Sequence, residues 1–255
     1  MPGAIVTTLS VAQRSPVLLV DFRMFSDEPT LATLLRRAGP RGLYQIDGVK
    51  AFAAVGQQPS LTELAQACAA ALERLPAEPV VIVGYCSAAV LALSIRERLS
   101  AASARRPALM LVNPTLVDDE LIDASFAALR TSLGAQSAPG LPGPLDLDTM
   151  LAALAGYVTR HLAAQRMDQV EIELMSELII ERYAHWLGFL LASRDAEVQP
   201  PGTPVEAVLS ADQSFSPPAN WPPGLVETSR LDEDAAAILS SDRLLDMISS
   251  KADER

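Results

Sequence analysis

The sequence predicts an α/β protein with a mostly parallel central sheet flanked by helices and interrupted by a helical lid insertion. Two observations carry that reading. Short apolar runs alternate with helical patterns between residues 16 and 112, the rhythm of parallel βαβ units. The rhythm then breaks, and no strand pattern returns until Pro204. A chain of 255 residues, 49% of them hydrophobic, is long enough to bury one such core and carry an insertion.

The elements follow in order. Residues 16–22 (PVLLVDF) form an apolar run ending in a charge and read as a buried strand. Residues 28–37 carry helical spacing, stopped by Gly39-Pro40. A second strand is predicted over 42–46. Ser60, with Glu63 at capping-box distance, opens a helix running to about Leu75. Residues 80–83 give the third strand, 88–99 the helix after it, and 108–112 the fourth strand. Beyond Thr115 come a helical stretch, a Gly/Pro-rich link over 138–144, and helices over 146–164 and 168–192. Strands return at 204–209 and 225–228, a closing helix spans 235–248, and the charged end from Lys251 is expected to fray. The predicted division is a core of 1–114 and 197–255 around a lid of 115–196.

Composition narrows the function classes. A net charge of −11 argues against nucleic acid and against an anionic membrane surface. No stretch approaches the roughly 20 uncharged apolar residues of a membrane span. The N-terminus lacks a basic region followed by a long apolar core, so no signal peptide is predicted. Cys68 and Cys86 stand in dissimilar contexts, which predicts no disulfide and makes the cytoplasm the default compartment. His161 and His185 are the only histidines, and without a Cys/His cluster no metal site is expected.

Chemistry concentrates in residues 79–92, PVVIVGYCSAAVLA. An apolar strand turns at Gly84-Tyr85-Cys86-Ser87-Ala88 into an apolar helix. In a nucleophile elbow the turn is so sharp that residues two before and two after the nucleophile must be small, and Gly84 and Ala88 meet that need. A helix N-terminus also favours the thiolate of a cysteine placed there. The competing reading is a small packing residue inside an ordinary βα connection.

The order of these landmarks resembles the α/β-hydrolase thioesterases that serve non-ribosomal peptide and polyketide synthases, as terminal domains or as free-standing type II enzymes. The likeness runs from about residue 15 to 248. It includes the strand Pro16-Val17-Leu18-Leu19-Val20, the strand and helix at Gly42-Leu43-Tyr44-Gln45-Ile46 and Ser60-Leu61-Thr62-Glu63, the elbow segment, and Thr203 to Gln213 after the lid.

The resemblance implies an α/β-hydrolase fold with Cys86 as nucleophile. Asn113 stands where the family commonly places its triad carboxylate, and Asp212 offers a substitute at the end of the later strand. The base position, a histidine in the family, falls closest to Asp234, with Asp232 and His185 as alternatives. The oxyanion hole would come from the backbone N–H of Ser87 and one from Phe22-Arg23-Met24.

Loss of the histidine is tolerable for a thiol, which is part-ionised near neutral pH, in a way it is not for a serine. No bound cofactor is expected, with the acyl substrate carried on a phosphopantetheine arm. The implied partner is an acyl or peptidyl carrier protein, docking at Arg36, Arg37 and Arg41 or at Arg96, Arg98, Arg105 and Arg106. Two other functions stand beside acyl transfer. One is non-catalytic binding of acyl chains or carrier proteins, and the other is lyase, isomerase or cyclase chemistry in the same cleft.

Overall fold

The computed structural model describes residues 5–11, 15–22, 29–39, 41–56, 58–102, 106–135, 145–165 and 167–254. The chain separates into two compact units, Met1–Leu116 with Ala196–Arg255, and Val117–Asp195.

The larger unit is built on a sheet of β1 (Val6–Ser10), β2 (Val17–Asp21), β3 (Leu43–Asp47), β4 (Val81–Tyr85), β5 (Ala108–Val112), β6 (Val205–Leu209) and β7 (Val226–Arg230). Its spatial order is β1-β3-β2-β4-β5-β6-β7. β1 runs antiparallel to β3, and every other pair is parallel. Strands β2 and β5 are buried at every position, as continuous apolar runs are when helices cover both faces. β1 is a half-exposed edge strand whose VTTLS sequence carries no apolar run, and the pattern above did not predict it. From β2 the chain moves out to β3 and returns across β2 to β4. The crevice beyond the carboxyl ends of β2 and β4 is therefore a topological switch point, the usual binding place in such sheets.

Local chemistry explains where the helices start. Asp47 ends β3 and caps α2 (Gly48–Val55), its Oδ1 accepting from the N–H groups of Val49 and Lys50 at 3.1 and 3.2 Å. This helix was not predicted. Ser60 and Glu63 form the full capping box of α3 (Leu61–Leu72), as expected. Thr30 caps α1 (Leu31–Leu35), which is shorter than the predicted 28–37 because it tightens into a 3-10 turn before Gly39 at φ 86°.

The predicted closing helix over 235–248 also needs correction. A 3-10 turn at Ile238–Ser240 ends at Ser241, whose hydroxyl caps a new helix. That helix ends within the tail expected to fray. Lys251 Nζ lies 3.1 Å from Glu206 Oε2, Ala252 is buried, and Arg41 Nη2 is 3.1 Å from Asp253 Oδ1. On this face of the sheet Val17, Leu19, Val81, Val83 and Met110 pack against Leu31 and Leu34 and against Leu244, Ile248 and Ala252.

The second unit is helical. It comprises α5 (Asp119–Ser132), α6 (Leu147–Ala164) and α7 (Gln169–Arg194), and the terminal helix of the larger unit is α8 (Asp242–Asp253). Phe126, Met150, Leu154 and Val158 are fully buried along α5 and α6. Arg194 fixes the end of α7 by donating to Asp119 Oδ1 at 2.9 Å, to the Leu145 carbonyl at 3.2 Å and to Asp195 Oδ1 at 2.7 Å. The predicted link at 138–144 lies outside the described residues. Among the described residues no helix is long and apolar enough to cross a membrane.

Candidate active site

β4 ends at Tyr85, and Cys86 opens a 3-10 turn, Cys86–Ala88, that feeds α4 (Ala89–Ala102). Cys86 has φ 52°, a left-handed conformation that side chains other than glycine seldom adopt. The neighbours show why the chain can turn so tightly. A Cβ on Gly84 would fall 2.6 Å from Ala92 Cβ and 3.1 Å from Ala89 Cα, and Ala88 is completely buried. Burial of Leu91, Ala92 and Ile95 along α4 offsets the strain. The Cys86 side chain is only partly buried and so remains within reach of a reactant. Cys68 contrasts with it: the thiol is buried in α3, and desolvation pushes its pKa up to about 12. Both cysteines are free.

In the sheet Tyr85 pairs with Val112, so Cys86 and Asn113 leave their strands side by side. Asn113 is also left-handed, at φ 44°, and is buried. Its N–H donates to the Val208 carbonyl at 2.9 Å, and its Oδ1 accepts from the Ser210 N–H at 2.8 Å. Its Nδ2 is buried with no hydrogen-bond partner among the described residues. The amide thus spends an acceptor on the end of β6 and keeps a donor unspent. Thr115 completes this group. Its N–H donates to the Cys86 carbonyl at 3.3 Å, its Oγ1 stands 3.4 Å from the Asn113 carbonyl, and the same oxygen lies 3.9 Å from Cys86 Sγ.

The carboxylates of the sequence reading gather at the ends of β6 and β7. Asp212 Oδ1 accepts from the Ser210 hydroxyl at 2.8 Å and from the Ala235 N–H at 2.9 Å. The Ser210 bond, helped by backbone N–H groups and Gln213, holds the Asp212 carboxyl below its ordinary value despite some desolvation. Asp234 Oδ1 caps a turn by accepting from the Ala237 N–H at 2.9 Å, and Asp232 is exposed. Arg230 Nη1 ties the carbonyls of Ser210, Ala211 and Gln213 together at 2.8 to 3.1 Å.

Ser210 joins the two groups, with its N–H on Asn113 and its hydroxyl on Asp212. Among the described residues neither Asp212 nor Asp234 bonds to Cys86. His185 lies on α7 in the helical unit, and His161, on α6, is hydrogen-bonded to Gln165 at 2.9 Å. Of the oxyanion candidates, Ser87 is buried at the turn and Phe22 follows β2, which pairs with β4 through Val20 and Gly84. Arg23 and Met24 lie outside the described residues.

No protein-family model and no curated protein matches the chain. Solved structures do. A four-domain nonribosomal peptide synthetase bound to AMP and glycine matches over 98% of this chain at 13% identity and a TM-score of 0.60, and this chain spans 20% of its length. The Vlm2 thioesterase domain, solved with a dodecadepsipeptide, matches over 99% of both chains at 15% identity and a TM-score of 0.59. The type II thioesterase BorB from the borrelidin biosynthetic cluster matches over 98% of this chain and 97% of its own, at 12% identity and a TM-score of 0.58. The fold is that of the α/β hydrolases.

In this α/β-hydrolase fold the buried polar residues Asp21, Asp47, Ser87, Asn113 and Ser210 all stand at or just beyond carboxyl ends of strands. Two of the residues near the corner were missed by sequence reasoning. Asp21 is buried at the end of β2 with its Oδ1 accepting from Gln45 Nε2 at 2.7 Å, and its only signal was a charge closing an apolar run. Thr115 had no signal at all, because its nearness to Cys86 arises from the pairing of β4 with β5.

Proposed function

We propose that the chain is a thioesterase-like acyl-transfer enzyme of natural-product assembly, in which Cys86 accepts an acyl or peptidyl group from a carrier-protein thioester. The observation that carries this reading is the accessible thiol of Cys86, held at φ 52° above a glycine whose Cβ could not be accommodated. Such strain at a strand–helix corner presents a nucleophile rather than fills a core. The likeness to a nonribosomal peptide synthetase, to a thioesterase domain bound with a dodecadepsipeptide and to a type II thioesterase from a biosynthetic cluster supports the substrate class.

In the first step the thiolate of Cys86, its proton released to water, adds to the thioester carbonyl, with the oxyanion facing the Ser87 N–H at the start of the turn. The carbon–sulfur bond to the phosphopantetheine arm then breaks, and the departing thiolate takes a proton from water. Thioester exchange is nearly isoenergetic and needs little base. Release is more demanding. Water needs a general base, and the Asp212 and Asp234 carboxylates are engaged in holding their own loops. A neutral substrate amine, nucleophilic without such a base and presented by cyclisation or transfer, suits this site better than water or a hydroxyl does.

The carrier would meet a basic surface smaller than the sequence suggests. Arg37 is paired with Asp242, Arg41 with Asp253, and Arg96 is buried against the Pro107 and Thr203 carbonyls. Arg36, Arg98 and Arg106 remain candidates for contact, and Arg105 lies outside the described residues.

Incubation with an acyl-pantetheine thioester, followed by intact-mass measurement, tests the reading. The wild type is expected to gain one acyl group, and Cys86→Ala none. Absence of any Cys86-dependent adduct or turnover would overturn acyl transfer and favour a binding role or other chemistry in the cleft.

A further inference from the structure

We propose that the Thr115 hydroxyl is a catalytic group that stabilises the sulfur of Cys86 as a thiolate by donating a hydrogen bond to it. The inference rests on Cys86 as the nucleophile, whose sulfur has no imidazole bonded to it among the described residues.

Three contacts converge on Thr115. Its backbone N–H holds the Cys86 carbonyl at 3.3 Å, its Oγ1 lies 3.9 Å from Cys86 Sγ, and that oxygen also stands 3.4 Å from the Asn113 carbonyl. Among the described residues no other side chain is hydrogen-bonded to Cys86 Sγ. The placement is rigid because Asn113 and Cys86 are paired strand ends and Pro114, between Asn113 and Thr115, has a fixed φ.

A hydroxyl has one proton and can both donate and accept. While Cys86 is a thiol, its S–H donates to Thr115 Oγ1, and the Thr115 O–H donates to the Asn113 carbonyl. When the S–H proton leaves to water, the Thr115 O–H rotates from that carbonyl to the sulfur. A charged acceptor makes the new bond stronger than the one given up. Thr115 neither gains nor loses a proton, so it is no base. When the thiolate bonds to the substrate carbonyl its charge passes to the oxyanion, and the hydroxyl turns back to Asn113. The arrangement is neutral, so unlike a carboxylate in the same place it sets no like charge against the thiolate.

The test is the rate of alkylation of the full-length protein by iodoacetamide across pH, read at Cys86 by peptide mass. Buried Cys68 serves as an internal check on folding, since it reacts only if the chain opens. Thr115→Val keeps the side-chain shape and the backbone N–H but removes the hydroxyl. It is expected to slow alkylation at pH 7 about tenfold and move the pH–rate midpoint upward, in line with loss of one hydrogen bond to a charged group.

Thr115→Ser is expected to restore the wild-type profile, and Thr115→Ala to match Thr115→Val. Wild-type rates in the valine and alanine variants would overturn the proposal, and so would equal losses in the serine and valine variants, which mark a packing effect. If Thr115→Val exposes Cys68, the alanine and serine pair decides. The readout contains no thioester, so it can fail while acyl transfer stands, and it can succeed where no acyl adduct forms.

Discussion

Asp212 accepts from the Ser210 hydroxyl and from the Ala235 N–H through one oxygen, and so one charge joins the ends of β6 and β7. The sign of its pH dependence follows. Its folded-state value lies below the ordinary 3.8, so its contribution is fully present above that value and is lost as pH falls through the lowered one. Acid titration of unfolding should therefore show the wild type losing stability over that window and Asp212→Asn losing less. Parallel curves would show that the carboxylate holds nothing. At the same scale, the two cysteines part by surroundings alone. Cys68 is desolvated into an inert packing residue, whereas Cys86 is lifted into reach by its backbone.

The junction of β4 and α4 works as one element because its small residues let strand and helix nearly touch. Gly84→Ala would drive a methyl to 2.6 Å from Ala92 Cβ and 3.1 Å from the Ala89 backbone, neither of which can swing aside. The expected cost is about 1–3 kcal/mol in chemical denaturation, with slower Cys86 alkylation as the corner opens. Unchanged stability would show that the junction is looser than its contacts imply.

Elements with local signals were legible in the sequence. The Ser60 and Glu63 box, the apolar runs of β2, β4 and β5, and the Gly84 and Ala88 spacing all act within a few residues. β1 and α2 were not legible, since β1 depends on pairing with β3 and α2 depends on a cap that is also the last residue of β3. The closing helix was misplaced because Ser241 restarts it after a turn that apolar periodicity does not reveal.

At the scale of the molecule, the division into two units makes a prediction of its own. Phe126 is fully buried on α5 and its ring lies 5.6 Å from the Arg130 guanidinium carbon. Phe126→Ala should cost about 3–5 kcal/mol, and amide exchange should quicken across 117–195 before it does in the larger unit. Uniform loss of protection would mean that the chain opens as a single unit.

The sequence by itself determined the alternation of strands and helices, the break in that rhythm and the corner that bears Cys86, because each is written in neighbouring residues. What stands beside Cys86 was decided by tertiary structure. Thr115 is 29 positions away, and Ser210 is 97 positions from Asn113. Parallel pairing sets their strand ends together, and no local pattern records which strands will be neighbours.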